Sequence, residues 1–213
     1  GLYSLHGRAM ATAQGFKLAN PDLKVIAFCG DGDSLGEGLA HTMFAAKRNA
    51  DITMIVHDNE VYALTTGQRT PTSPRGFKGP STPHGNPEDP FNPLVLMLEA
   101  GATFVARGYS GDIAGLTSLI VEGMTHKGFS FIDVLQPCVT FNRPSSYDFY
   151  KPRVYKLEDE HHDVSDKAAA WQLAFEWGER IPIGIFCQTE DVPTYEEQEP
   201  VMALGSRVKR PLV

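Results

Sequence analysis

The sequence predicts an α/β protein, a mostly parallel sheet with helices on both faces. Three observations predict it. Short apolar runs at residues 24–29, 52–56, 103–106, 130–135 and 183–187 have the length of buried strands. Stretches with helical spacing of apolar residues lie between them. Strands that alternate with helices, instead of with tight hairpin turns, pair in parallel between helical layers.

Each element has its own warrant. Residues 7–20 are rich in small helix formers and stop at Asn20-Pro21, so they form the first helix. Residues 24–29 form the first strand. Leu35, Leu39, Met43 and Ala46 recur at helical spacing, which predicts a helix over 34–48. Residues 52–56 form the second strand. Residues 93–100 read as a helix and 103–106 as the third strand. A helix follows over 113–126, with Ile113, Leu116, Leu119, Ile120 and Met124 facing inward, then the fourth strand, 130–135. Residues 165–177 form an amphipathic helix with Ser165 as its N-cap and a stripe of Ala169, Leu173 and Trp177. Residues 183–187 form the last strand. Two long segments, 65–92 and 136–153, remain as loops; the first is rich in proline and the second carries Cys138. Loops of that length are functional or disordered. The expected division is one domain over 1–190 and a C-terminal tail over 191–213.

Composition removes several function classes. The chain has 213 residues, is 42% hydrophobic and carries a formal net charge of −7, so no basic field draws it to nucleic acid or anionic lipid. Arg207, Lys209 and Arg210 read as a solvated tail. No apolar run reaches the roughly 18 residues that span a bilayer. Three widely spaced cysteines, Cys29, Cys138 and Cys187, argue against a disulfide framework and for a reducing compartment, here expected to be the cytoplasm. The doublet His161-His162, set among acids, reads as solvated.

Chemistry concentrates in two turns. Gly30-Asp31-Gly32-Asp33 follows the first strand, and His57-Asp58-Asn59-Glu60-Val61-Tyr62 follows the second. A glycine-rich turn between strand and helix presents N–H groups to an anion, yet two carboxylates there repel a bare phosphate. A hard divalent cation between carboxylate and phosphate removes the conflict. In a parallel sheet both turns emerge at the carboxyl edge, where ligands bind. A magnesium ion there takes an oxygen from Asp31, the amide oxygen of Asn59 and a backbone carbonyl just after Asn59; diphosphate and water complete the octahedron. Hard oxygen donors without thiolate or imidazole suit that ion. A dinucleotide fingerprint fits less well, because Gly36 falls one position late and the turn is acidic. The other competing reading is that Asp31 and Asp33 only cap the next helix.

Gly-Asp-Gly followed after 26 residues by Asn59 is the spacing of the thiamine diphosphate motif. With Leu5-His6-Gly7-Arg8-Ala9, His41, Arg48-Asn49-Ala50-Asp51-Ile52, Tyr62-x-Leu64-Thr65-x-Gly67-Gln68, Pro71-Thr72 and Gln136-Pro137-Cys138, the chain resembles the β subunit of 2-oxoacid:ferredoxin oxidoreductases. The segments 101–107 and 177–184 are also similar to that subunit.

The resemblance implies a thiamine-diphosphate-binding fold and a share in oxidative decarboxylation of a 2-oxoacid to an acyl-CoA, with electrons passed to ferredoxin. It implies Asp31, Asn59 and the Val61 carbonyl as magnesium ligands. His6, Gly32, Asp33, Tyr62, Leu64 and Thr65 are implied around the cofactor. The glutamate that activates the aminopyrimidine comes from an α subunit with a pyrimidine-binding domain, so no catalytic residue is assigned here. Cys138 is implied as one ligand of a [4Fe–4S] cluster whose other cysteines are absent from this chain. Because Gly1-Leu2-Tyr3 begins inside the family pattern, an upstream segment is expected. Many relatives have Gly at the position of Ala63 and Lys at that of Thr66; the change removes a candidate contact for a substrate carboxylate or coenzyme A. Similarity in the tail favours 2-oxoglutarate as the acid. The alternatives are half of a non-oxidative thiamine diphosphate decarboxylase or synthase, and a non-catalytic scaffold subunit that kept the fold.

Overall fold

A computed structural model describes residues 1–203; Arg207, Lys209 and Arg210 lie outside the described residues. In chain order the elements are α1 (Ala9–Ala19), β1 (Ile26–Gly30), a π-helical turn (Gly32–Glu37), α2 (Leu39–Lys47) and β2 (Thr53–Asp58). A short hairpin follows, β3 (Val61–Tyr62) and β4 (Gln68–Arg69), then α3 (Pro93–Ala100), β5 (Phe104–Tyr109), α4 (Ile113–Thr125) and β6 (Ser130–Leu135). The last part holds α5 (Tyr147–Tyr150), β7 (Val154–Lys156), α6 (Lys167–Ala174), β8 (Ile181–Gln188), α7 (Tyr195–Gln198) and α8 (Pro200–Ala203).

Six strands build the main sheet in the order β1-β2-β6-β5-β8-β7. β1, β2, β6 and β5 run parallel. β8 turns back antiparallel to β5, and β7 is parallel to β8. Alternate residues of each strand feed opposite faces. Met54, Val56, Val105 and Phe131 pack with Met10, Ala45, Leu94 and Ala170, and so with α1, α2, α3 and α6. Ile55, Phe104, Ala106 and Ile132 pack instead with Leu119 of α4. Among the described residues the sheet is therefore covered on both faces, by four helices on one and one on the other.

Several local expectations need correction. The helix cap is Asp166, not Ser165: its carboxylate accepts from Ala168 N (2.9 Å) and Ala169 N (3.0 Å), while Ser165 turns back to Asp163. Ala170 and Ala174 form the buried stripe of α6, which ends before Trp177. Ile113 sits at the first position of α4, ahead of the sheet, and is 77% exposed. His162 is not solvated; its ring nitrogen lies 2.7 Å from the Phe186 carbonyl. The proline-rich loop has its own framework. Arg75 grips Asp89, and Asn86 Nδ2 donates to the carbonyls of Ser73, Pro74 and Glu88. Among the described residues no helix is long and apolar enough to cross a membrane.

Candidate cofactor site

The register Gly30↔His57 brings the carboxyl ends of β1 and β2 level, so Asp31 and Asp58-Asn59 emerge side by side. Asp31 is 1% exposed. It occupies the N-cap position of the π-helical turn, yet its side chain makes no capping hydrogen bond. Asp33 accepts from the backbone N–H of Gly7, on a different element. Asp33 is held by another element and Asp31 makes no side-chain cap bond, although its carboxyl also meets the Gly32 N–H; capping alone does not account for the pair.

What holds Asp31 is a hydroxyl. Thr72 Oγ1 lies 2.6 Å from Asp31 Oδ2 and 2.9 Å from Asp58 Oδ1. Burial pushes the Asp31 carboxyl above its ordinary range, against the Thr70 and Thr72 hydroxyls, and no cation among the described residues opposes it. Asp58 is pushed up further, by burial and then by the charges of Asp133, Asp31 and Glu60. Burial also raises Glu60, against bonds from Ser145 and Asn142, and Asp133, against Arg107. The one guanidinium in this group is Arg107, whose Nε lies 3.2 Å from Asp133 Oδ2. The cluster offers hard oxygen donors, the type magnesium takes, but among the described residues no three His, Cys, Asp or Glu side chains form a metal site by themselves.

The remaining expected residues fall into two groups. His6, Gly32, Asp33 and Tyr62 come together. Tyr62 donates its hydroxyl to the Gly32 carbonyl (3.0 Å), and the His6 and Tyr62 rings are 6.0 Å apart. His6 Nδ1 lies 2.9 Å from Glu37 and 3.9 Å from Asp33. Gly32 has no room for a side chain: a Cβ would stand 2.3 Å from the Tyr62 ring and 2.9 Å from the Thr70 methyl. Asn59 is half-buried; its Oδ1 accepts the Val61 N–H at 3.0 Å and keeps a second lone pair. Val61 is buried at the start of β3. Leu64 and Thr65 sit at the exposed tip of the β3–β4 hairpin, where the Thr65 hydroxyl donates to Gln68 Oε1 (2.6 Å).

Cys138 is half-buried in the 136–153 loop, and its sulfur accepts the Phe141 N–H at 3.4 Å. Cys29 and Cys187 are buried in the core, and burial followed by Asp33 pushes the Cys29 thiol up to about 12. The three thiols of this chain therefore do not form a cluster site among themselves. Sequence reasoning missed Asp58, Glu60, Thr70, Thr72, Asn142 and Ser145 as neighbours of the site. Asp58 and Glu60 flank Asn59 and were open to inspection; the others reach the site only through folding of the two long loops.

Residues 1–134 match the family described as thiamine pyrophosphate enzyme, C-terminal TPP-binding domain. Residues 138–203 match the family that describes the C-terminal part of the pyruvate ferredoxin oxidoreductase β subunit. The chain is 48% identical to a 2-oxoacid:ferredoxin oxidoreductase β subunit of Sulfolobus sp over 93% of its length and 68% of that protein's. It is 41% identical to the 2-oxoglutarate synthase subunit KorB of Archaeoglobus fulgidus, over 70% of this chain and 56% of that one. Among solved structures it resembles a 2-oxoglutarate:ferredoxin oxidoreductase from Magnetococcus marinus, described with 2-oxoglutarate, coenzyme A and succinyl-CoA bound. That likeness has a TM-score of 0.89 at 39% identity and covers 96% of this chain and 70% of the other.

Proposed function

The chain belongs to the family of 2-oxoacid:ferredoxin oxidoreductase β subunits and carries a thiamine diphosphate enzyme domain, and from that premise we propose that it binds magnesium-thiamine diphosphate at the β1–β2 sheet edge. Asp31, the Asn59 amide oxygen and the Val61 carbonyl hold the ion. His6, Gly32, Asp33, Tyr62, Leu64 and Thr65 surround the cofactor. The observation that carries this reading is the Asp31 carboxylate: buried, used in no helix cap and opposed by no basic group among the described residues.

Bound thiamine diphosphate supplies the decarboxylation chemistry. The chain's own residues position it. The Thr72 hydroxyl fixes Oδ2 of Asp31 and so the orientation of the carboxylate offered to the ion. Tyr62 holds the Gly32 carbonyl, so the turn keeps one shape. The bare Cα of Gly32 leaves room for the Tyr62 ring to close over the turn.

The remaining partners follow from the family. As the family resemblance implies, an α subunit with a pyrimidine-binding domain supplies the glutamate that activates the aminopyrimidine and completes the site as a heterodimer, and the proline-rich loop faces it. The substrate class is 2-oxoacids, with 2-oxoglutarate favoured by the KorB relatives and the structural neighbour; coenzyme A and ferredoxin complete the reaction, in the cytoplasm. Cys138 is proposed as one thiolate of a [4Fe–4S] cluster whose other ligands are not among these residues. Residues 1–190 are taken as the cofactor domain and 191–213 as its tail.

The test is calorimetry of the chain, with its α subunit present, against thiamine diphosphate and Mg²⁺. Binding heat is expected from wild type and none from Asp31→Ala. No heat from wild type, or equal heat from the variant, overturns the proposal.

A further inference from the structure

The proposed metal turn is gripped by a loop that contributes no ligand to it. Asn142, 1% exposed, donates Nδ2 to the Asn59 carbonyl (3.1 Å) and to Glu60 Oε2 (2.7 Å). Ser145 donates its hydroxyl to the same carboxylate oxygen. From the other side, the Ser73 hydroxyl donates to the Glu60 carbonyl. Glu60 itself has φ 62, the left-handed region that a side chain other than glycine occupies only where its surroundings hold it. Asn142 is fixed in turn, because its backbone N–H donates to the Cys138 carbonyl at 3.2 Å. Besides these, the turn between β2 and β3 has two short-range restraints, the Val61 N–H to Asn59 Oδ1 and the Glu60 N–H to Asp58 Oδ1, and Asp58 at its start accepts from the Thr72 hydroxyl and the Gln136 N–H.

We infer that Asn142, seconded by Ser145, is a positioning residue for the metal site. The Cys138-bearing loop sets the left-handed conformation at Glu60, and with it the directions of the Asn59 amide and the Val61 carbonyl. The inference rests on the metal reading above. It adds that the 136–153 loop and the metal turn behave as one unit, so each responds when the other is altered; linkage requires that response to be mutual.

The experiment titrates Mg²⁺ at fixed thiamine diphosphate, with the α subunit present, for wild type, Asn142→Ala, Ser145→Ala and Asn59→Ala. Hydrogen exchange of residues 59–61 and 136–146 is followed in the same samples. Asn142→Ala is expected to raise the half-saturating Mg²⁺ concentration about tenfold, equivalent to about 1.4 kcal/mol. Ser145→Ala shifts it in the same direction by less and guards against a folding failure of the first variant. In wild type, loading slows exchange in both segments together; in Asn142→Ala the protection of 136–146 is lost. Loss of binding in Asn59→Ala with a wild-type Mg²⁺ requirement in both loop variants overturns the inference and leaves the metal reading standing. A fall in melting temperature with an unchanged Mg²⁺ requirement means a merely structural role and also overturns it. Unaltered binding in Asn59→Ala removes the ligand assignment and the inference with it.

Discussion

Replacing Thr72 by valine keeps the shape of the side chain and removes the hydroxyl that joins two buried carboxyls. That hydroxyl is 2.6 Å from Asp31 and 2.9 Å from Asp58. It has one proton to give. The two carboxyls share that proton, and losing the hydroxyl leaves two buried carboxyl oxygens without their donor. Losing the first bond costs about 1.5–3 kcal/mol and the second about 1 kcal/mol, so about 3 kcal/mol is a fair total. In a chain of this length that lowers Tm by roughly 6–12 °C. The assay is thermal unfolding of the ligand-free protein followed by circular dichroism. Thr72→Ser keeps the hydroxyl and retains most of the stability. Thr70→Val removes a hydroxyl that acts on Asp31 but not on Asp58, and is the control that loses less. A Thr72→Val protein that melts with wild type, or no lower than Thr70→Val, refutes the bridging role.

Gly32→Ala forces a Cβ against the Tyr62 ring and the Thr70 methyl and costs about 1–3 kcal/mol of stability by overpacking; the Tyr62 share of the loss should disappear in a Tyr62→Ala background, and an equal loss there contradicts the clash with the ring. Arg107→Met leaves the Asp133 charge buried without its partner and costs about 3–5 kcal/mol. Adding Asp133→Leu recovers much of that in a denaturant melt, unless the pair acts in some way other than charge compensation. Asp112 accepts from Gly115 N (3.0 Å) and lies 3.2 Å from Lys156 Nζ, and these contacts hold its carboxyl below the ordinary range. A lowered folded value means stability that is fully present above the unfolded pKa and drains away as pH falls through the folded one. Asp112→Asn should therefore flatten the acid limb of a stability–pH curve below about pH 4, the range of an unperturbed aspartate; an unchanged limb contradicts this.

The strands that position the site could be read from the sequence because they are apolar on both faces. β6 and α3 coincide with the predicted ranges 130–135 and 93–100. β7 was missed: Val154, Tyr155 and Lys156 are all half-buried, so three edge residues carry no pattern. The π-helical turn was read as the start of an ordinary helix, because the apolar spacing of Leu35 and Leu39 is the same in both. What distinguishes it is the Gly38 N–H bonded to the Asp33 carbonyl five residues back, which no local pattern announces. The pairing of the two acidic turns followed from strand ends alone. The hydroxyl and amide supports did not, since Thr72 lies 41 residues from Asp31 and Asn142 lies 82 from Glu60, in loops without periodicity.

The central claim is that Asp31 and Asn59 share one cation. Crystals grown with thiamine diphosphate and Mn²⁺, an anomalous scatterer that accepts the same oxygen ligands, test it most directly. The account predicts a single strong anomalous peak within coordination distance, about 2.0–2.2 Å, of an Asp31 carboxylate oxygen and of Asn59 Oδ1. A cofactor-loaded crystal with its manganese peak out of reach of either side chain contradicts it.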